Sequence, residues 1–270
     1  MLQISPSQLN EIRICTARYH YKRVRKLPDP RKLPVVYGSA LDHTVERMLI
    51  DKNNGGIHQM KTYQSIVVSK FNELAKKAII TDSERKQYLD YARSIVANYY
   101  ANELPHQRAL TTQEVNKFET DFFRVYQIFD MVTMDDVVVD YKAPLSPKLK
   151  RVGDKWQPKT FDNVIQLYCY HHGFFAARGY YPAGLELHYL LPPKSFRGKW
   201  YPPVIAKVQI DYGDIENEAE LEIRRAWDLI QEVKLQGRYK PNRSWRNFLC
   251  SHKWCPFATA CEEEFGGKVK

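Results

Sequence analysis

Residues 114–144, EVNKFETDFFRVYQIFDMVTMDDVVVDYKAP, decide the fold, because β-branched and aromatic residues dominate this stretch and predict neighbouring strands. The aspartate pair at 135–136 predicts the turn between two of the strands. In the second strand Asp140 and Lys142 are two residues apart, so they lie on the same face of the sheet. Asp130 lies near the end of the preceding strand, and the hairpin brings it back beside Asp140. Two carboxylates at such close range repel each other unless a cation lies between them, which predicts a site for Mg²⁺ or Mn²⁺.

Helices are predicted on both sides of this strand region, where apolar residues recur at helical spacing. The first predicted helix starts with Ser5 as its N-cap and Gln8 completing a capping box, and it contains Cys15. The order of helices and strands predicts an α/β fold. The remaining predicted helices cover residues 38–53, 58–79, 82–101, 160–178 and 217–237, and further strands are predicted at 185–191 and 204–210.

The charge of the chain favours a polyanionic partner. The 270 residues include 41 Lys and Arg against 31 Asp and Glu, a formal net charge of +10, which suits DNA, RNA or an acidic membrane surface. Eighteen tyrosines and five tryptophans would suit a groove that stacks bases. The sequence contains no run of eighteen apolar residues and no signal-peptide pattern in its first thirty residues. We therefore expect a cytoplasmic protein, encoded by a prokaryote or a phage, that has no membrane partner.

A second pattern follows the D-x-K strand. An isolated D-x-K is most often a surface ion pair, but Gln166 and Tyr170 stand four residues apart on one face of the next predicted helix. Together these motifs resemble the RecB-like branch of the PD-(D/E)XK nuclease superfamily. The resemblance implies a restriction-endonuclease-like core, with a mixed sheet flanked by helices. It also implies that Asp130 and Asp140 are metal ligands, that Lys142 is the catalytic lysine, and that Gln166 and Tyr170 contact DNA or order the catalytic site.

The same family carries a G-x-x-x-H helix whose histidine contributes to the metal site. In this sequence the residue four after Gly38 is Asp42, and His43 comes one position later. Adjacent helical residues are about 100° apart, so both can hardly face the metal equally. Spacing favours Asp42 and ligand chemistry favours His43, and the sequence leaves both open as the metal ligand.

The cysteines are distributed unevenly along the chain. Cys15 lies near the start, whereas Cys250, Cys255 and Cys261 form a C-x4-C-P-x4-C pattern near the end. Without a secretory signal, metal or cluster binding explains these cysteines better than disulfides do. Cys169 lies in an apolar stretch and is interpreted as a small buried hydrophobic residue.

This one-plus-three arrangement resembles the iron-sulfur subset of RecB-like nucleases, which includes CRISPR-associated and phage exonucleases. The resemblance implies that a 4Fe-4S cluster joins the two ends of a single domain spanning residues 1–270. In that interpretation residues 54–105 are a helical insertion that narrows access to the site, and the cysteine-containing tail at 238–270 pairs with Cys15. Zinc and unliganded thiols remain alternatives.

The sequence therefore favours a metal-dependent DNA exonuclease that acts on single-stranded DNA or DNA ends in recombination, repair or CRISPR-type DNA processing. A helicase, a recombinase or a CRISPR-type integrase is a candidate partner, since the chain has no phosphate loop of the pattern G-x-x-x-x-G-K followed by Ser or Thr. The alternatives are a catalytically inactive iron-sulfur DNA-binding module and an RNA-directed nuclease of the same fold. Two basic segments are candidate phosphate tracks or, equally, solvated charged faces, and the candidate DNA contacts in them are Lys22, Arg23, Arg25, Lys148, Lys150 and Arg151.

Overall fold

A six-stranded mixed sheet forms the centre of the chain. The computed structural model describes residues 2–30, 32–76, 78, 80–145, 149–152, 155–158, 164–196, 199–244, 247, 249–252 and 254–269. The strands are β1 (Leu2–Ile4), β2 (Ala109–Glu119), β3 (Phe123–Thr133), β4 (Val137–Lys142), β5 (Leu149–Val152), β6 (Lys155–Pro158), β7 (Gly184–Leu191), β8 (Lys194–Phe196), β9 (Lys199–Tyr201) and β10 (Val204–Ile210). The helices are α1 (Pro6–Ile14), α2 (Thr16–Tyr19), α3 (Leu33–Asn53), α4 (Met60–Ala75), α5 (Asp82–Asn98), α6 (Val164–Arg178), α7 (Glu216–Gln236) and α8 (Ala258–Phe265).

The long strand β3 organises the sheet. It pairs with β2 in antiparallel fashion along almost its whole length, from Ala109↔Thr133 to Glu119↔Arg124. Its other edge is shared by β1, which pairs in parallel at the start, and β4, which pairs antiparallel near the end. Beyond β4 lie β7, parallel to it, and then β10, antiparallel to β7. Two short hairpins, β5–β6 and β8–β9, stand outside this sheet.

Helices cover both faces of the sheet, because successive residues of each strand point to opposite sides. Val138 packs with α1, α6 and α7 on one face, whereas its neighbour Val139 packs with α3, α4 and α5 on the other. This confirms the predicted α/β fold with a mixed sheet flanked by helices. The segment 54–105 contains α4 and α5, which build the second layer together with α3. The idea that this segment narrows access to the site stays a prediction.

Residues 5–24 do not form the continuous helix that the sequence predicts. The Ser5–Gln8 capping box is present, with the Gln8 N–H donating to Ser5 Oγ at 3.3 Å, but α1 ends at Ile14. Cys15 has an extended backbone (φ −167°, ψ 112°), so the prediction that it lies inside a helix is wrong. The break has a physical reason in the C-terminal tail, since Thr16 Oγ1 donates a hydrogen bond to Lys240 O at 2.8 Å. The thiol of Cys15 therefore lies at a corner that faces the tail.

Helix α6 approaches β3 closely at Gly173. A Cβ at this position would lie 1.7 Å from Gln127 Nε2, so only glycine fits without displacement. The Gln127 amide donates to Cys169 O at 2.7 Å and so connects β3 to α6. This contact sets the position of the helix that carries Gln166 and Tyr170.

Most other element boundaries agree with the sequence to within a few residues. Helix α7 ends at Gly237, whose φ of 65° is the left-handed conformation expected just after a helix. The helix predicted at 58–79 is shorter than expected and covers Met60–Ala75. Among the described residues, no helix is both long and apolar enough to cross a membrane.

Candidate active site

The candidate site lies where β3 and β4 separate. Their pairing is limited to Met131↔Val139 and Val132↔Val138. Immediately beyond it, Asp130 Oδ2 accepts a hydrogen bond from the backbone N–H of Tyr141 at 2.9 Å. The Tyr141 N–H is therefore bonded to a side chain instead of a backbone carbonyl of β3, and the two strands separate at this point. The second half of β4 then presents Asp140 and Lys142 in this gap, as their two-residue spacing predicts.

Asp140 is the centre of the hydrogen-bond network. It is 1% exposed, and its Oδ1 accepts from Tyr170 Oη and from Gln166 Nε2, both at 2.8 Å. Lys142 Nζ lies 2.6 Å from Asp140 Oδ2 and donates to Gln166 Oε1 at 2.9 Å. Gln166 Nε2 also donates to Tyr170 Oη at 2.7 Å. Each end of the Gln166 amide thus has a partner of the correct polarity, which holds Asp140 and Lys142 in one arrangement.

The electrostatics of the site are dominated by crowded carboxylates. Burial, followed by the charges of Asp140 and Asp42, raises the pKa of Asp130 well above its usual value. Burial and the nearby charges of Asp140 and Glu46 raise the pKa of Asp42 to about 6. Burial by itself would lower the pKa of Lys142, but the Asp140, Asp130 and Asp42 carboxylates raise it overall. Three carboxylates therefore face a single ammonium group, and the set carries excess negative charge when ionised.

The two residues left open on α3 occupy different environments. Asp42 interacts electrostatically with Asp140 and Lys142, so it belongs to the carboxylate group. The side chain of His43 is 45% exposed, and its Nδ1 lies 3.8 Å from Glu46 Oε2. The structure therefore places Asp42 in the electrostatic environment of Asp140 and Lys142 and His43 beside Glu46, and which of the two binds a metal ion stays a prediction.

Glu46 is a residue that the sequence reasoning missed. It lies one helical turn after Asp42 on α3, and its charge contributes to the raised pKa of Asp42. The signal was the i,i+4 spacing of the two acids, which places them on one helix face. By itself, that spacing looks the same as an ordinary pair of surface acids.

The donor set fits a divalent cation. Carboxylate oxygens are the hard ligands that Mg²⁺ and Mn²⁺ prefer, and a divalent charge would offset the repulsion among Asp42, Asp130 and Asp140. Asp140 Oδ2 is buried and forms an ion pair with Lys142 Nζ at 2.6 Å, which uses only part of the accepting capacity of a carboxylate oxygen. It therefore has lone pairs available to a metal ion. Among the described side chains, no group of three or more His, Cys, Asp or Glu already stands at coordinating positions.

Four of the five cysteines are brought together at the other end of the molecule. Cys15, Cys250, Cys255 and Cys261 line one pocket between the N-terminal helices and the C-terminal tail. Burial, and then the neighbouring cysteines, raise the pKa of Cys250 and of Cys255. Cys169 lies on the buried face of α6 and is fully buried in the core, as the sequence predicts.

Hydrogen-bond donors reach two of the four sulfur atoms. The backbone N–H of Asn242 donates to Cys15 Sγ at 3.4 Å, and Arg243 Nη2 donates to Cys261 Sγ at the same distance. Donors of this kind stabilise negative charge on sulfur, which is the form that binds metals. Both donors can stay bonded to sulfur atoms that coordinate a metal.

The candidate DNA contacts on the N-terminal segment already have partners. Lys22 and Arg23 both pair with Glu11, at 2.9 Å and 2.8 Å, and Arg25 pairs with Glu264 at 2.9 Å. Phosphate would have to compete with these carboxylates, so a role in DNA binding stays a prediction. Lys148 lies outside the described residues. Lys150 and Arg151 lie in β5, but their side chains are also outside the description.

Comparison with known proteins identifies the family of this chain. The model of the PD-(D/E)XK nuclease superfamily matches residues 3–262 of this chain. A candidate exonuclease from Eubacterium rectale has a similar crystal structure, with a TM-score of 0.63 and 13% identity over 97% of this chain and 88% of that one. At this identity the likeness shows the fold alone. The crystal structure of SSO0001 aligns with a TM-score of 0.42 and 14% identity over 97% of this chain and 86% of that one, a score too low to establish a shared fold.

No curated protein matches the chain. The family model nevertheless covers nearly all of it, including the β3–β4 gap, the α6 helix and all four clustered cysteines. The α/β fold with a mixed sheet flanked by helices agrees with that match. The chain therefore belongs to the PD-(D/E)XK nuclease superfamily.

Proposed function

We propose that this chain is a divalent-metal-dependent exonuclease that hydrolyses phosphodiester bonds of single-stranded DNA or DNA ends, in recombination, repair or CRISPR-type DNA processing. Nucleases of this superfamily generally use divalent metals. The observation that carries the proposal is the buried group in which Asp140 is held by Gln166, Tyr170 and Lys142 beside Asp130. The net charge of +10 suits the polyanionic substrate.

Each residue of the group has a role that follows from its position. Asp42, Asp130 and Asp140 would hold the ion, which when bound supplies an activated water and offsets the negative charge of the phosphate. Lys142 presents an ammonium group that orients the attacking water and stabilises the charge developing on the phosphate oxygens. Gln166 and Tyr170 keep Asp140 Oδ1 fixed, so that Oδ2 faces the site.

We also propose that the cysteine pocket holds a 4Fe-4S cluster that joins the ends of the chain. Four thiols in one pocket match the ligand number of such a cluster, and the donors from Asn242 and Arg243 would offset negative charge on two coordinating sulfur atoms. The cluster would have a structural role, since closing a loop of more than two hundred residues lowers the conformational entropy of the unfolded chain.

The activity is tested on anaerobically purified protein with end-labelled single-stranded DNA. We expect cleavage with Mg²⁺ or Mn²⁺, none with a chelator, and none in Lys142→Ala. A matched control is Lys207→Ala, which removes an exposed lysine that pairs with Glu103 away from the carboxylates. This control should cleave like the wild type. DNA binding without cleavage under any of these ions would instead support the inactive DNA-binding module.

The cluster is tested separately by measuring the iron, sulfide and zinc content of the purified protein. Wild-type protein should be brown and contain iron and acid-labile sulfide, whereas Cys255→Ser should lose both. Cys169→Ser is the matched control, because Cys169 lies in the core away from the pocket. Zinc without iron in the wild type would replace the cluster with a zinc site, and the absence of both metals would contradict either form.

A further inference from the structure

The hairpin β8–β9 leaves the sheet at the same edge as the candidate site. Strands β4 and β7 are parallel, and Lys142 is paired with Tyr189. The carboxyl ends of parallel strands meet at one edge, so the chain beyond β7 emerges beside the chain beyond β4. Strand β7 ends at Leu191, and the hairpin begins three residues later at Lys194. The base of the hairpin is fixed by Asn98 Nδ2, which donates to Pro203 O at 3.2 Å.

Trp200 is the most exposed aromatic side chain of the described part of the chain. Its exposed fraction is 65%, and it is paired with Ser195 across the hairpin. A tryptophan usually buries most of its large apolar surface, so an indole held open to solvent at a catalytic edge requires a reason. Core packing does not supply one, because Trp200 belongs to none of the buried clusters.

The charge of the chain selects the kind of partner. Lys194 in the same hairpin lies over the Tyr201 ring at 5.9 Å, on the face opposite to Trp200, because neighbouring residues of a strand alternate between its two faces. An exposed indole in a chain of net charge +10 suits a nucleic-acid strand, whose phosphates contact basic side chains while a base stacks on the ring. Bases inside a duplex already stack on each other, so their faces are not available.

We propose that Trp200 stacks on an unpaired base of a DNA strand that enters the candidate site, and that it selects single-stranded over double-stranded substrate. This inference rests on the proposed nuclease function. Ser195, opposite Trp200, is six residues beyond Tyr189. At about 3.3 Å per residue, the indole lies at most about 20 Å past the level of Lys142. That reach corresponds to roughly six stacked nucleotides at about 3.4 Å each, so the stacked base lies within about six nucleotides of the reacting phosphodiester.

The experiment measures binding by fluorescence anisotropy, with a chelator present so that nothing is cleaved. Labelled single-stranded DNA, a blunt duplex of the same sequence and the matched RNA strand are compared. We expect Trp200→Ala to weaken single-strand binding about tenfold, the usual value of one stacked base. Trp200→Phe keeps a stacking ring and should bind within about twofold of the wild type. Because the side chain is exposed, neither change should affect folding.

Phe175→Ala is the matched control. Phe175 is also an exposed aromatic, at 42%, but it lies in the last turns of α6, near the opposite end of the sheet. It should leave binding unchanged. The inference would be overturned if Trp200→Ala and the wild type bound single-stranded DNA with equal affinity. It would also be overturned if Trp200→Ala weakened binding of the duplex as much as binding of the single strand, or if Trp200 contributed more to binding of RNA than of DNA. Because binding is measured without catalysis, an inactive chain would refute the proposed function while leaving the Trp200 result interpretable.

Discussion

Gly173→Ala tests whether the close approach of α6 to β3 positions the helix that holds Asp140. A methyl group at this position would lie 1.7 Å from Gln127 Nε2, 2.9 Å from Gln127 Cδ and 3.4 Å from Phe118 Cδ1. Gln127 is only 3% exposed, so its amide has little room to move. Either the amide leaves its bond to Cys169 O or the helix shifts away from the sheet.

The expected change in the free energy of unfolding of Gly173→Ala is the sum of three contributions. Displacing a buried amide from its hydrogen bond costs about 1–3 kcal/mol. Crowding the interface adds about 1 kcal/mol at the low end of the usual range. Alanine is a better helix former than glycine by about 1 kcal/mol, which offsets part of the loss. We expect Gly173→Ala to lower the free energy of unfolding by about 2 kcal/mol.

A double-mutant cycle isolates the contact. In a Gln127→Ala background the obstacle is gone, so Gly173→Ala should raise the free energy of unfolding by about 1 kcal/mol, and the coupling between the two sites should be about 3 kcal/mol. The free energies come from urea unfolding with linear extrapolation. Gly38→Ala in α3 is the control, because its Cβ would meet only Ala143 Cβ at 4.0 Å. It should be neutral or stabilising.

Additive effects of the two substitutions would refute the reasoning, since they would mean that the Gly173–Gln127 approach does not constrain α6. The same conclusion would follow if Gly173→Ala and Gly38→Ala raised stability equally. A loss of stability in Gly38→Ala as large as in Gly173→Ala would show that the cost comes from something other than this contact.

Two further predictions concern stability away from the site. Arg178 donates two hydrogen bonds of 2.7 Å to Glu114, and this pairing is the main cause that lowers the Glu114 pKa to about 2. Because the folded pKa is below the usual value near 4.5, the stabilisation is fully present above about pH 4.5 and is lost as the pH falls towards 2. Glu114→Gln should therefore cost about 2 kcal/mol at pH 7 by urea unfolding and almost nothing at pH 2, and a pH-independent difference would contradict this. Lys52 Nζ donates to the carbonyl oxygens of Leu104, Pro105 and Gln107 at 2.6–2.8 Å, so Lys52→Met should also cost about 2 kcal/mol, and a neutral result would show that water replaces the ammonium group.

Much of the site could be predicted from local spacing. Residues two apart on a strand must share a face, which places Asp140 with Lys142, and residues four apart on a helix must share a face, which places Gln166 with Tyr170. The structure shows both pairs converging through the bonds to Asp140 Oδ1. These relations hold for any strand or helix, so they needed no tertiary information.

Other features depended on contacts between distant parts of the chain. The break at Cys15 arises because Thr16 donates a hydrogen bond to the carbonyl oxygen of Lys240, more than two hundred residues away. The helical periodicity of the sequence around Cys15 does not reveal this contact. The exposure of Trp200 likewise follows from a hairpin that stands outside the sheet. Local sequence cannot report such contacts, because they exist only after the elements have packed.

By itself, the sequence determined most of the long helices and strands and the shared faces of the D-x-K and Q-x-x-x-Y pairs, since each of these depends on spacing within one element. The motifs were also enough to indicate the family. Only the tertiary structure shows that Asp42 and His43 lie in different environments. The two residues are adjacent, and the packing of α3 against the sheet turns Asp42 towards Asp140 and Lys142 while His43 is left beside Glu46 at the surface. Helix rotation is set by which face is buried, and that choice is made by the whole core.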